Sequence, residues 1–140
     1  SLYTKKHELS NRPIQELVAE LGGIETELID ASIEFDPKET GNLEWNLRGL
    51  KVSYDAAKQQ FIYQGKRLSA APVDGKVKLR VLVDRGSLEL FANDGAAVAT
   101  HYALPDPGNR SITLSGKGSV SLTINELKSS WPQQTVKLKK

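Results

Sequence analysis

Apolar and polar residues alternate with period two along most of this chain. Ile29, Ala31, Ile33 and Phe35 alternate with Asp30, Ser32, Glu34 and Asp36. Leu43, Trp45 and Leu47 do the same, then Leu50, Val52 and Tyr54, then Phe61 and Tyr63. Val77, Leu79, Val81 and Val83 follow, with Leu82 as the single apolar exception. Segments 87–91, 97–104, 112–115 and 120–124 complete the series. Period two places successive side chains on opposite faces of an extended strand, so each segment predicts a strand with one buried face. Turn residues bound these segments: Pro37 to Gly41, Asp55 to Gln59, Arg85-Gly86, Asn93-Asp94-Gly95 and Gly116 to Gly118. Residues 65–75 and 105–109 read as loops. Short strands at this spacing, without a βαβ rhythm, predict an all-β fold. The expected architecture is a two-sheet antiparallel β-sandwich of jelly-roll or concanavalin-like type.

The period changes once. Ile14, Leu17, Val18 and Leu21 recur at helical spacing, Pro13 suits a first helical turn, and Gly22-Gly23 supplies a stop. Residues 13–21 therefore predict one short N-terminal helix, too short to stand without docking its apolar face. Residues 1–10 hold Leu2, Tyr3 and Leu9 among charges, with no core pattern of their own. The expected organisation is a linker segment and helix over 1–23, a sandwich over 24–131 and a flexible tail over 132–140. Leu2, Tyr3, Leu9 and the helix face are expected to meet a neighbouring domain.

Composition narrows the function classes. The chain has 140 residues, enough for one domain with a substantial core. Its net charge of +2 supplies no global field for nucleic acid or an anionic membrane. No apolar run approaches the roughly 20 residues of a membrane-spanning helix. There are no cysteines, so disulfides and thiolate metal sites are excluded. There are also no methionines, which points to a piece cut from a longer polypeptide.

The segment 77–104 carries a resemblance. Val83-Asp84-Arg85, then Ser87, then Leu88-Glu89-Leu90-Phe91, then Asn93-Asp94-Gly95 are similar in order and spacing to the C-terminal β-sandwich domain of glycoside hydrolase family 32. That family comprises the invertases, levanases and inulinases. Arg12 to Leu17 resembles the helix following the family's catalytic domain, and Val52-Ser53-Tyr54-Asp55 resembles a hairpin strand before the central segment. Trp131 sits where the family's last strand ends. The resemblance implies a non-catalytic accessory domain, whose partner is an N-terminal five-bladed propeller of the same polypeptide. It also implies a parent that hydrolyses terminal β-D-fructofuranosyl bonds of fructans or sucrose, secreted or periplasmic by analogy. A role in shaping the cleft or a homodimer interface is part of that expectation; a fructan-binding module is the alternative.

Glycoside hydrolysis needs two carboxylates flanking the bond. The family's catalytic motifs, of Trp-Met-Asn-Asp-Pro-Asn-Gly, Glu-Cys and Arg-Asp-Pro type, do not occur in this chain. No catalytic, cofactor or metal residues are therefore assigned. The charged residues Asp84, Arg85 and Glu89 have two readings. They could grip sugar hydroxyls, or Asp84 could accept turn N–H groups while Arg85 pairs with a nearby carboxylate. Trp131 could cap the sandwich or pack on a neighbouring domain. Asn93-Asp94-Gly95 reads better as a hairpin turn than as a fragment of a calcium loop. His7 and His101 have no companions at ligand spacing. Among the aromatic residues, Trp45 is in phase with Leu43 and Leu47, which places it in the core rather than on a sugar-stacking surface.

Overall fold

The structure, a computed structural model, describes residues 2–129. Its strands are β1 (Leu2–Pro13), β2 (Leu28–Phe35), β3 (Leu43–Leu47), β4 (Leu50–Asp55), β5 (Gln60–Tyr63) and β6 (Lys66–Ser69). They continue with β7 (Val77–Val83), β8 (Ser87–Ala92), β9 (Ala97–Tyr102), β10 (Ile112–Ser115) and β11 (Ser119–Ser129). Two helices interrupt them, α1 (Ile14–Leu21) and α2 (Pro37–Thr40). The strands form two antiparallel sheets. One has the order β1-β11-β2-β7-β8-β9, the other β10-β3-β4-β5-β6.

The period-two pattern sets the inner face of each sheet. Ile29, Ala31, Ile33 and Phe35 of β2 are buried, as are Val77, Leu79, Val81 and Val83 of β7. Trp45 of β3, Val52 and Tyr54 of β4, and Phe61 of β5 face them from the other sheet. Phe35 meets Tyr54 edge-on at a ring-centroid distance of 5.1 Å, and Phe61 at 6.3 Å. Such edge-to-face pairs add about 0.5–1.5 kcal/mol beyond the area they bury. The Tyr54 hydroxyl donates to the Ala70 carbonyl at 2.9 Å, so the core tyrosine leaves no orphaned donor.

The N-terminal segment departs from expectation. Residues 2–13 pair with β11 along its length, from Leu2 opposite Ser129 to Pro13 opposite Ser119. A bulge between Leu9 and Arg12, with Asn11 at φ 49°, lets the strand bend; its N–H is taken by the Ser121 hydroxyl. Leu9 is buried against the sandwich, and His7 donates to the buried Glu126 carboxylate at 2.5 Å. The helix begins one residue later than expected, at Ile14 with Pro13 as its N-cap, and Ile14 N–H donates to the Gly118 carbonyl at 2.9 Å. Ile14, Leu17 and Leu21 are buried, against β1 and β10, while Val18 is 55% exposed. The apolar face is thus narrower than the heptad-like spacing suggested, and it belongs to this domain's own core. Each of the three buried side chains contributes roughly 1.5–3 kcal/mol. Residues 2–21 are therefore part of the sandwich rather than a linker beside it.

Two further differences are local. The expected loop over 65–75 contains β6, a short edge strand in which only Leu68 is buried. The expected turn over 37–41 closes as one helical turn, with Asp36 capping the Lys38 N–H at 2.9 Å and Pro37 starting the helix. Trp131 and the expected tail at 132–140 lie outside the described residues.

Arg48 fastens one end of the sandwich. It is only 6% exposed and sits at φ 53° in the turn between β3 and β4. Its guanidinium donates to three backbone carbonyls: Asn109 at 3.0 Å, Glu27 at 2.8 Å and Asp106 at 3.1 Å. One side chain thereby ties the residues before β2 to the connection between β9 and β10. Hydrogen bonds to a charged group are worth about 1.5–3 kcal/mol each, and truncation leaves three acceptors unpaired. Arg48→Ala should lower unfolding stability by about 3 kcal/mol or more in urea titration, and Arg48→Lys should recover only part of it, because an ammonium cannot reproduce the planar fork. A second site is Gly116, at φ +151°, where a Cβ would lie 2.4 Å from Leu43 Cδ2 and 3.3 Å from Ile14 Cδ1. Gly116→Ala should cost about 2 kcal/mol, read from the shift in denaturation midpoint.

Candidate functional site

Asp84 follows the last residue of β7 and holds the turn into β8. Its carboxylate accepts from Gly86 N–H at 2.8 Å, Ser87 N–H at 2.8 Å and the Ser87 hydroxyl at 3.1 Å. The Gly86 bond above all, with help from the Ser87 bonds and neighbouring Arg85 against a smaller opposing cost of burial, holds its pKa below the usual aspartate value. A carboxylate in that state is a poor proton donor, whereas a glycosidase acid needs its pKa raised. Arg85 projects outward, 76% exposed, with its guanidinium 3.8 Å from Glu27. Glu27 also meets Arg110 at 3.4 Å. Glu89 lies apart from this turn, on the outer face of β8 between Leu82 and Thr100.

Asn93 and Asp94 both have positive φ, 49° and 60°, as primed hairpin turns require. Asn93 further accepts from Lys78 N–H and donates to the Ala71 carbonyl, tying the hairpin to a neighbouring loop. Among the described residues there is no group of three or more metal-ligating side chains. His101 packs against Tyr63 with ring centroids 4.9 Å apart and the rings tilted by 49°. Burial, then the charge of Lys66, lowers its pKa.

A depression lies on the outer face of the six-stranded sheet, away from the Asp84 turn. It has a volume of about 470 Å³ and crosses β11, β2, β7 and β8. Its floor is made of small hydroxyl side chains, Ser32, Ser121 and Thr123. Lys78, Arg80 and Phe91 stand around that floor, and Asp94 reaches it from the β8–β9 turn. The cations are already engaged. Arg80 makes a bidentate pair with Asp30, at 2.9 and 2.9 Å, and Lys78 meets Asp94 at 3.3 Å. The Asp30 pair raises the Arg80 pKa further above its ordinary value. Glu34 stands between Ser121 and Lys78 in register, and forms no ion pair among the described residues. Alternation alone assigns each of these residues to an outer face. Bringing them together depends on the strand order β11-β2-β7-β8, which joins segments far apart in the chain.

The depressed pKa of Asp84 gives a signed expectation. A carboxylate whose pKa is lower folded than unfolded stabilises the fold fully above the unfolded value, and that stability fades as pH falls through the folded one. Asp84→Asn should therefore cost about 1 kcal/mol at neutral pH, limited by the exposure of the turn. The gap between variant and parent should close as pH drops below the ordinary aspartate range, read by urea unfolding along a pH series.

Comparison with known proteins places this architecture. The model described as glycosyl hydrolases family 32 C terminal matches residues 1–130. Levanase from Bacillus subtilis (strain 168) is 50% identical over 64 residues, covering 43% of this chain and 10% of that protein. The matched stretch thus spans about a tenth of that relative's length. Among solved structures, sucrose-6-phosphate hydrolase from Lactobacillus gasseri superposes with a TM-score of 0.62 at 15% identity, over 89% of this chain and 28% of that one. Fructofuranosidase from Schwanniomyces occidentalis, complexed with fructose, gives 0.60 at 17% identity, over 91% and 34%. These two likenesses establish a shared fold. With the family model running nearly end to end, the chain belongs to the glycosyl hydrolases family 32 C-terminal family.

Proposed function

We propose that this chain is the non-catalytic C-terminal sandwich of a larger β-fructosidase of the levanase and invertase kind. Its role there is to brace an N-terminal catalytic propeller. The observation that carries the reading is the family match across residues 1–130. The chemistry of the described residues supports it. Asp84 is committed to a turn and held ionised, and the buried Glu126 is committed to His7. Neither carboxylate is free to protonate a leaving group. Because β1 and α1 complete this domain's own core, the propeller would meet a finished surface rather than supply missing core. Val98 and Tyr102, exposed on the outward side of edge strand β9, and Leu104 beyond it are suited to such a contact. The same surface would serve if the domain shapes the substrate cleft or a dimer interface. The parent would act on terminal fructofuranosyl bonds through carboxylates outside this chain.

Two measurements test the proposal. The purified chain should release no fructose from levan, inulin or sucrose above a buffer blank; release abolished by substituting one of its carboxylates would overturn the non-catalytic reading. Deleting residues 1–130 from the parent should lower the catalytic domain's melting temperature by several degrees. An unchanged melting temperature would remove the bracing role.

A further inference from the structure

We propose that the depression on the outer face of the six-stranded sheet is a binding site for a neutral oligosaccharide. The inference goes beyond the bracing role, since the groove can act whether or not a propeller adjoins the domain.

Size comes first. A volume of about 470 Å³ lies within the range of small-molecule sites, roughly 300–1,000 Å³. Crossing four strands gives a length of about 14 Å at the usual strand spacing. That suits a short chain of sugar rings better than a single ring. The depth has a simple origin in the sequence. Ser32, Ser121 and Thr123 occupy adjacent outward positions on β2 and β11, where larger outward residues would fill the space. Lys78, Arg80 and Phe91 on β7 and β8 rise beside them as a wall.

Charge then selects the class of ligand. The lining holds two carboxylates, Glu34 and Asp94, and two cations, Lys78 and Arg80; Asp30, outside the lining but paired with Arg80, tips the local balance to three acids against two bases. Both cations are paired at 3.3 Å or closer, so an anionic ligand would have to displace a carboxylate and then face the remaining excess of negative charge. A neutral ligand avoids that cost. Glu34, half-buried on the groove and without an ion pair among the described residues, is an acceptor for a pair of adjacent hydroxyl donors. The hydroxyls of the floor both donate and accept, which is the pattern that another set of hydroxyl groups satisfies. The bidentate Arg80–Asp30 pair fixes the guanidinium, leaving its remaining N–H groups in a set direction. Phe91 supplies the one apolar surface, in register with Arg80 across the strand pair, against which the C–H face of a ring can lie.

The test is NMR titration of the 140-residue chain with levan oligosaccharides, inulin oligosaccharides and, as an acidic counterpart of similar size, oligogalacturonate. The expected result is saturable binding of at least one neutral oligosaccharide at millimolar concentration or below. Amide shifts should map to β2, β7, β8 and β11, with weaker or no response to oligogalacturonate. Phe91→Leu and Glu34→Gln should each weaken binding about tenfold without changing the melting temperature, as expected for losing a stacking surface or a charge-assisted hydrogen bond. Asp84→Asn should leave affinity unchanged. The proposal is overturned by any of three results: no saturable response to the neutral probes, shifts confined to another part of the domain, or full affinity retained in both groove variants.

Discussion

Phe35 of one sheet meets Tyr54 and Phe61 of the other, and the sandwich extends outward from that contact. Each sheet has one apolar face and neither can leave it in water, so the two must meet across a single dry layer. The contact sets further requirements at the margins. The five-stranded sheet ends at β10 and the six-stranded sheet at β1, and an uncovered margin there would let water reach the layer. The N-terminal segment closes it. β1 extends the larger sheet beyond β11, and α1 lays Ile14, Leu17 and Leu21 between β1 and β10. At one end of the layer, Arg48 ties its own turn to two other backbone segments, the residues before β2 and the β9–β10 connection.

Among the described residues, the interior leaves one buried polar side-chain atom without a partner, the Trp45 indole N–H. Among the described residues the buried charged side chains are Arg48 and Glu126, and each is satisfied by partners within the fold. The turn that most resembles a sugar-gripping cluster spends its carboxylate on backbone N–H groups. The candidate functional surfaces lie outside the core. Two kinds of surface are present there, a polar depression built across four strands and the apolar side chains of an edge strand. The partners proposed for them differ, a hydroxylated ligand for the first and a protein neighbour for the second.

The pattern of side chains made much of this legible. Strands with one apolar and one polar face, such as β2 and β7, were readable because burial on one side enforces period two. The core position of Trp45 followed from the same phase. Elements that bury little were not readable in that way. β6 commits only Leu68 to the core, and β1 runs through Lys5, Lys6, His7 and Glu8, whose polar side chains mask an edge strand. Its inward His7 is tolerated because Glu126, 119 residues away, accepts its proton-bearing nitrogen. The depression was hidden for a related reason. Its lining residues look like ordinary outward positions, and only the non-local strand order sets Ser121 beside Glu34 and Lys78. Asp84 and Arg85 stood out because they adjoin a recognisable turn, which is the structural reason they are there.

Residues 2–129 should unfold as one cooperative unit, with the N-terminal strand and helix inside it. Native-state hydrogen exchange tests this most directly, since it reports the opening free energy of each element. The amides of β1 and α1 are predicted to exchange with the same opening free energy as those of β2 and β7, through global unfolding. Exchange of β1 and α1 by orders of magnitude faster local opening, with β2 and β7 still protected, would contradict it and return the N-terminal segment to the role of a linker.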